Sequence, residues 1–332
     1  MWLDSGSLYR SAKWLGLGFL LLSSLVINNA MAGLTNEIGY LALSDGIELR
    51  YRIASPAEGA IRGSVLLLQG RAENIEKYAE QIDRLTQAGF SVFTFDWRGQ
   101  GLSSRLLDDS HKGYINSFSE YIEDLGEFDR KIWHKMAGDG KRYLIAHSLG
   151  GHVALRYMVE EKVTLDAALL VSPMFEINTA PWPRQVAELF ASTAVSVGFE
   201  ESYLPGSGPY AGRVYSKNNV LTSDAKRFAV LPKTVTANPD LALGGPTFGW
   251  LNAAFTSMRQ IHLKGYVRRL EMPITVLLGE DDSVINPPLV RQLCEKIVSC
   301  KQVDIKGAKH EIMMEKEPVQ ELLWVQIEEA FR

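Results

Sequence analysis

A serine between small residues marks the part of this chain best suited to nucleophilic chemistry. Ser148 follows the apolar run that starts at Tyr143 and precedes a segment with helical periodicity, with Ala146 two residues before it and Gly150 two residues after it. A strand that enters a helix through one tight turn strains the central residue and presents its side chain above the sheet edge. The pattern predicts that Ser148 is a nucleophile. The alternative is a buried strand-to-helix turn that happens to contain serine.

Two later segments supply the partners that such a serine needs. A serine hydroxyl is a weak nucleophile at neutral pH unless a base takes its proton and a third group orients that base. One strand-like run ends in an acidic turn with Asp281 and Asp282, and the last strand-like run is followed by His310. We predict His310 as the base and Asp282, at the tip of its turn, as the acid. Asp281 is the second candidate for the acid. Taken alone, the acidic segment could be a solvated turn, and His310 could be a surface histidine.

Acyl transfer also needs two N–H groups that point at the developing oxyanion. Leu149 supplies one by its position after the serine, and Arg71, in the loop after the first parallel strand, is predicted to supply the other because Gly70 allows the turn. The Arg71 side chain either reaches a substrate phosphate, faces solvent or pairs with a loop carboxylate.

The other histidines fit the role of base poorly. His147 adjoins the serine, where side chains point away from it, and His152 lies on the following helix. No spacing of histidine, cysteine and carboxylate residues resembles a metal site, so we expect chemistry without a metal or other cofactor.

Strands and helices alternate along most of the chain. The segment 37–54 reads as an antiparallel hairpin around Asp45-Gly46. Short apolar runs separated by helical periodicity then indicate strands buried on both faces, and so an α/β fold with a mostly parallel, doubly wound sheet. The segment 175–270 lacks this alternation, and we predict a mostly helical cap inserted over the sheet edge that carries Ser148.

The composition excludes some classes of function. The chain has 332 residues, 46% hydrophobic and 22% charged, and a formal net charge of −4. It is long enough for one core with an inserted subdomain, and it has no basic field to attract nucleic acid. The oligomeric state stays open.

The amino terminus has the pattern of an export signal. Arg10 and Lys13 precede an uncharged stretch from Trp14 to Ile27, and small residues follow up to Ala32. We expect residues 1–32 to form a signal peptide and 33–332 the mature hydrolase domain, because the apolar run is shorter than the roughly 20 residues of a membrane-spanning helix. An uncleaved anchor is the alternative. Cys294 and Cys300 form a disulfide or remain two thiols.

Across residues 36–330 the chain resembles the α/β-hydrolase family, in particular its monoacylglycerol lipases and bacterial lysophospholipases, with a serine aminopeptidase-like hydrolase domain. The order serine, acid, histidine is that of this family. The matching segments are 69–78, 96–103, 143–155, 172–175, 244–247, 279–284 and 306–311. Two departures, Gln69 in place of histidine in the oxyanion loop and Ala146 in place of glycine, are similar to the lysophospholipase branch found at Gram-negative inner membranes.

This resemblance implies a serine hydrolase that cleaves the acyl ester of lysophospholipids or monoacylglycerols. It also implies a lipid ester substrate, contact with a membrane surface and a location in the periplasm or at the bacterial inner membrane. A general carboxylesterase for small esters and a noncatalytic lipid-binding or partner-binding protein are the alternatives. The acyl length, the head group and the acceptor, water or a lipid alcohol, stay open.

Overall fold

A single eight-stranded sheet organises the chain in this computed structural model, which describes residues 36–332. The predicted signal peptide over residues 1–32 lies outside the described residues. The spatial order of the strands is β1-β2-β4-β3-β5-β6-β7-β8. The strands are β1 Asn36–Ala42, β2 Glu48–Ala54, β3 Gly63–Leu68, β4 Phe90–Phe95, β5 Arg142–His147, β6 Ala167–Val171, β7 Ile274–Gly279 and β8 Cys300–Ile305.

The amino-terminal hairpin is confirmed. β1 pairs antiparallel with β2, and β2 pairs antiparallel with β4. The turn between β1 and β2 uses Gly46 at φ +86°, and the Asp45 carboxylate accepts the N–H of Ile47 at 3.2 Å. These are the two properties for which Asp-Gly is favoured in tight turns.

The remaining strands form the predicted parallel sheet. The pairs β3–β4, β3–β5, β5–β6, β6–β7 and β7–β8 are all parallel. Every residue of β3, β4 and β6 is buried, which explains their uninterrupted apolar sequences. Because parallel strands end at one edge of the sheet, the residues that follow β3, β5, β7 and β8 are brought to the same edge.

Amphipathic helices cover both faces of this sheet. Ile82 and Leu85 are buried, as their spacing predicts, and Gly89 follows that helix at φ +92°. Ser117 and Glu120 form a capping box at the start of the next long helix. The helices are α1 Ala79–Gln87, α2 Phe118–Phe128, α3 His134–Ala137, α4 Leu149–Glu160, α5 Arg184–Ser196, α6 Ala225–Phe228, α7 Val230–Ala237, α8 Phe248–Ile261, α9 Pro287–Cys294 and α10 Glu317–Ala330.

The stretch 175–270, predicted as a cap, holds α5 to α8 and, in this fully described segment, no strand of the sheet. Its loops contact the edge where the parallel strands end. The N–H of Glu311 donates to the carbonyl of Leu221 at 2.8 Å, and the N–H of Gly113 donates to that of Gly245 at 3.0 Å. The segment therefore lies over the loops that follow β8 and β4.

Two further features concern the predictions about the chain's environment. Cys294, at the end of α9, and Cys300, at the start of β8, form a disulfide with their Cα atoms 5.5 Å apart. This decides between the two alternatives for the cysteine pair. Within residues 36–332 none of the helices combines the length and the apolar character needed to span a bilayer.

Candidate active site

The turn between β5 and α4 has the geometry of a nucleophile elbow. Ser148 adopts φ 50° and ψ −112°, a region that residues other than glycine rarely occupy. Gly150 is required because a Cβ atom there would lie 2.6 Å from the carbonyl oxygen of Gln69. Ala146 is completely buried in β5, so a methyl group is accommodated where the family usually has glycine. The strain is held by the surrounding strands, since the N–H of Ser148 donates to the carbonyl of Val171 at 3.0 Å.

The structure brings the three predicted triad residues into one hydrogen-bonded line. His310 Nε2 lies 3.0 Å from Ser148 Oγ, and His310 Nδ1 lies 2.8 Å from Asp282 Oδ2. All three side chains are buried. No other histidine of the described residues is within hydrogen-bond distance of Ser148 Oγ. The arrangement matches a nucleophile, a base and an orienting carboxylate.

Of the two candidate aspartates, Asp282 is the one that contacts His310, and Asp281 is exposed beside it. Asp282 Oδ1 accepts the N–H groups of Val284 at 2.9 Å and Ile285 at 3.3 Å, which leaves Oδ2 for His310. Burial would raise the pKa of Asp282, but the hydrogen bond and charge of His310 and these two N–H groups hold it below its ordinary value. The carboxylate therefore stays ionised next to the imidazole.

A close approach of two loops places His310. The N–H of Asp281 donates to the carbonyl of Ala308 at 2.9 Å, which ties the loop after β8 to the end of β7. Gly279 makes this possible because a Cβ atom there would lie 2.4 Å from the carbonyl oxygen of Lys309. Gly307, at φ +68°, turns the chain after β8. Gly279 thus allows the loop that carries His310 to pack against the turn that carries Asp282.

The predicted oxyanion donors are both free to act. Leu149 is the first residue of α4, so its N–H has no partner within the helix. In the loop after β3, the N–H of Gly70 donates to Glu73 and that of Ala72 donates to Gln100 Oε1, whereas the N–H of Arg71 has no acceptor among residues 36–332. The two flanking bonds fix the loop and leave the N–H between them unpaired.

A buried ion network, which the sequence analysis did not predict, lies behind the site. Lys77 Nζ lies 2.6 Å from Glu73 Oε1 and 2.8 Å from Glu311 Oε1, and all three side chains are nearly inaccessible. Glu73 belongs to the oxyanion loop, and Glu311 follows His310 directly. The Lys77 cation therefore joins the loop that carries the predicted oxyanion donor to the loop that carries the predicted base.

His147 and Tyr78 complete this network. The Tyr78 hydroxyl donates to Glu73 Oε2 at 2.7 Å, and His147 Nδ1 lies 3.3 Å from the same oxygen. Burial would raise the pKa of Glu73, but the neighbouring Lys77 and His147 lower it well below its usual range. His147 Nε2 lies 3.3 Å from the carbonyl oxygen of His310. His147 therefore supports the backbone of His310, and within the described residues it forms no hydrogen bond with Ser148.

Replacing Lys77 with methionine is expected to destabilise the protein by about 3–5 kcal/mol, because two buried carboxylates would lose their only shared cation. The control is Arg62→Met, which removes the ion pair with Glu328 between side chains that are 38% and 47% exposed, and is expected to cost about 0–1 kcal/mol. Chemical denaturation of both variants checks this. Equal losses would show that the buried network does not hold the two loops.

His152 links the helix after the serine to the cap. Its Nδ1 lies 3.0 Å from the carbonyl oxygen of Met174, and its Nε2 lies 2.5 Å from the hydroxyl of Ser257 on α8. Burial, with the nearby Arg156 cation, lowers the pKa of His152 to about 3. The ring is therefore neutral in the folded protein at all but strongly acidic pH.

This burial predicts an acid-sensitive stability. The pKa of histidine in the unfolded chain is 6.5, whereas that of folded His152 is about 3. Between these two pH values the unfolded chain therefore binds a proton at this residue and the folded protein does not. The wild type should lose about 1.4 kcal/mol per pH unit in this window relative to His152→Gln, which has no titrating ring. Denaturant unfolding of both proteins between pH 7 and 4 measures the difference. Parallel curves would contradict the assignment.

Comparison with known proteins relates this site to a family. Residues 59–317 match the family model described as serine aminopeptidase, S33. A probable lysophospholipase L2 of Haemophilus influenzae is 29% identical over 280 residues, which are 84% of this chain and 87% of that protein. The lysophospholipase L2 of Escherichia coli K12 is 30% identical over 263 residues, 76% of this chain and 75% of that protein.

Solved structures show the same fold at lower identity. Monoglyceride lipase of Saccharomyces cerevisiae, crystallised as a soluble variant with a substrate analogue, superposes with a TM-score of 0.73 at 18% identity and covers 91% of this chain and 96% of that chain. Monoacylglycerol lipase of Paleococcus ferrophilus gives a TM-score of 0.64 at 23% identity and covers 85% and 98%. The resemblance drawn from the motifs is thus confirmed, and the chain belongs to the serine aminopeptidase S33 family of α/β-hydrolases.

Proposed function

We propose that this protein is a serine hydrolase that cleaves the single acyl ester of lysophospholipids or monoacylglycerols, with Ser148, His310 and Asp282 as its catalytic triad. The observation that carries the proposal is the continuous line from Asp282 Oδ2 through His310 to Ser148 Oγ, at 2.8 Å and 3.0 Å, on a strained elbow. Relatives named lysophospholipase L2 and monoglyceride lipase support this choice of substrate.

Acylation follows from the positions of these groups. Ser148 Oγ attacks the carbonyl carbon of the ester while His310 Nε2 takes the hydroxyl proton. The imidazolium that forms is stabilised by the ionised Asp282 carboxylate at Nδ1. The N–H groups of Arg71 and Leu149 hold the negative charge on the carbonyl oxygen, and the loss of one such donor typically costs about 3–4 kcal/mol of barrier.

Collapse of the tetrahedral intermediate releases the first product. The bond between the carbonyl carbon and the glycerol oxygen breaks, and His310 gives its proton to that oxygen. The acyl group then remains on Ser148. A water molecule gives a proton to His310 and attacks the acyl carbon, and return of the proton to Ser148 Oγ frees the fatty acid. The cycle needs no electron acceptor and no group from outside the chain except water.

A matched panel of substrates tests the proposal. The purified protein is given a lysophospholipid and a monoacylglycerol with the same acyl chain, together with a short-chain ester, and Ser148→Ala serves as the blank. We expect the long-chain substrates to be turned over with higher kcat/KM than the short ester. Preference for the short ester would favour a general carboxylesterase, and absence of Ser148-dependent turnover would favour a noncatalytic role.

We further propose that the protein works at a membrane surface. Six large apolar side chains around α5 are 48% to 67% exposed: Trp182, Val186, Leu189, Phe190, Val197 and Phe199. Exposed apolar side chains around one helix of the cap suit the interface of a bilayer. Sedimentation with phospholipid vesicles should be reduced by a Leu189→Ser, Phe190→Ser double variant. Unchanged sedimentation would contradict this role for α5.

We also propose that the protein is located in the periplasm or at the periplasmic face of the inner membrane. The disulfide between Cys294 and Cys300 supports export, because disulfides persist in oxidising compartments. Fusion of residues 1–40 to alkaline phosphatase, which is active only after export, tests the signal. Fractionation of the full chain then separates cleavage after Ala32 from retention as an anchor.

A further inference from the structure

Arg71 carries a cation next to the proposed reaction centre. Its backbone N–H is the proposed oxyanion donor. The side chain therefore starts from the Cα atom next to the N–H that would bind the carbonyl oxygen of the ester. The side chain turns toward the cap, where Nη2 donates to the carbonyl of Gly244 at 2.9 Å and the guanidinium lies 5.2 Å from the ring of Trp250. Nη2 also fills the space beside Gly113, since a Cβ atom there would lie 2.3 Å from it.

This guanidinium lacks the anionic partner that a shielded cation normally has. Within residues 36–332 no carboxylate pairs with Arg71, and its Nε is shielded from solvent without a hydrogen-bond acceptor. The buried guanidinium of Arg98, by contrast, pairs with Asp124 and Asp45. Arg71 thus pairs with no carboxylate among residues 36–332, and its Nε is shielded although the residue as a whole is partly exposed.

The surroundings of Arg71 disfavour its positive charge. Burial lowers the pKa of Arg71 to about 10, and the positive charge of Arg213 acts in the same direction. Arg213 lies in the cap, is partly exposed and forms no ion pair within the described part of the chain. The positive potential around the unpaired Arg71 guanidinium is one that an anion of the ligand would offset.

We propose that Arg71 binds the phosphate of the substrate's head group and thereby selects single-chain phospholipids over uncharged monoacylglycerols. The inference rests on the proposed esterase function. The Nε–H has no acceptor among the described residues, and guanidinium–phosphate hydrogen bonds are among the strongest in proteins. A few bonds of the glycerol backbone separate the ester carbonyl from the phosphate, and the arginine side chain spans a similar length from its own N–H.

The competing explanation is that Arg71 only pins the cap through Gly244. Arg105 provides a matched control because it is also a shielded arginine without a carboxylate partner, and it ties the cap to the core through the carbonyls of Asp240 and Ala242. Its donors are engaged by four backbone carbonyls, including those of Gly99 and Gly101. Arg105→Met therefore removes a cap contact at a residue outside the loop that carries the proposed oxyanion donor.

The experiment compares kcat/KM for a lysophospholipid and a monoacylglycerol with the same acyl chain, in neutral detergent micelles, for the full chain and for Arg71→Met, Arg71→Lys and Arg105→Met. We expect Arg71→Met to lower the ratio of lysophospholipid to monoacylglycerol turnover at least tenfold, the size of a lost charge-assisted hydrogen bond. Arg71→Lys should recover part of that ratio because it keeps the charge. Arg105→Met should lower both activities in parallel.

Equal losses on both substrates in Arg71→Met would overturn the phosphate site and leave the esterase function intact. Absence of turnover of either substrate by the wild type would instead overturn the esterase function, and the phosphate site with it.

A measurement on the wild type avoids any folding defect of the variants. Glycerol 3-phosphate is expected to inhibit monoacylglycerol hydrolysis competitively, and glycerol is not. If inorganic phosphate inhibits as strongly as glycerol 3-phosphate, Arg71 binds free phosphate, and the head-group assignment is overturned. Inhibition by neither anion would overturn it as well.

Discussion

Ser148→Ala is expected to lower kcat for ester hydrolysis by about 10⁴- to 10⁶-fold, because the acyl group would have no oxygen to which it can transfer. The fold should be retained, since alanine fits the same small space and the hydroxyl contacts only His310 in the described residues. Steady-state kinetics on the preferred substrate and circular dichroism of the variant provide the two measurements.

Ser172→Ala is the matched control for this substitution. Ser172 also adopts a positive φ, 44°, at the end of the neighbouring strand β6, and it is fully buried. Its hydroxyl has no hydrogen-bond partner among the described residues, so activity should stay within a few-fold of wild type. A loss in Ser172→Ala as large as that in Ser148→Ala would indicate that both act through packing, and Ser148 would lose its assignment as nucleophile.

The second large effect concerns the acid. Asp282→Asn is expected to lower kcat by about 10⁴-fold, because the amide keeps the size of the carboxylate but holds His310 in the wrong tautomer and cannot stabilise the imidazolium. The N–H groups of Val284 and Ile285 can still be accepted by the amide oxygen, so the turn should remain folded. The loss should therefore appear in kcat with little change in KM or in the unfolding midpoint.

Asp281→Asn tests the choice between the two neighbouring aspartates. Asp281 is exposed and holds its loop through its backbone N–H, which the substitution leaves in place. We expect its activity to stay within about twofold of wild type, as for most surface substitutions. The reverse pattern, a large loss in Asp281→Asn and a small one in Asp282→Asn, would reassign the acid.

The triad could be predicted from the sequence because it depends on chain order and strand ends. Apolar runs identify the strands, and parallel strands end at one edge, so a residue directly after such a run is already placed within a few ångströms along the strand. Ser148 satisfies this condition directly, whereas Asp282 and His310 lie three and five residues beyond the ends of β7 and β8 and are placed by the contact between their loops. Choosing Asp282 over Asp281 needed only the position within the turn.

The network behind the site could not be predicted in the same way. The spacing of Glu73 and Lys77 is that of an i, i+4 ion pair, which usually lies on an exposed helix face. Its burial depends on Glu311, which approaches from a loop more than 200 residues later in the chain. Charge pairs formed across such separations leave no local periodicity, although the position of Glu311 directly after the predicted base was a usable signal.

The cap illustrates the same limit. Its helical character follows from the absence of alternating strands, but the contacts of Arg71 with Gly244 and Trp250 depend on how the segment folds back over the sheet. The sequence therefore predicts that the Arg71 backbone lies in the site, but it leaves three partners open for the side chain: a substrate phosphate, solvent or a loop carboxylate. In the structure Arg71 Nη2 contacts one backbone carbonyl, Nε is shielded from solvent, and the residue as a whole is partly exposed.

Labelling with a fluorophosphonate tests the central claim most directly, because this reagent reacts covalently with an activated serine. Intact-mass spectrometry of the wild type should show a single adduct, peptide mapping should locate it at Ser148, and Asp282→Asn should react much more slowly than wild type. Ser148→Ala should show no adduct. An adduct on another residue, or ester hydrolysis that persists in Ser148→Ala, would contradict the account.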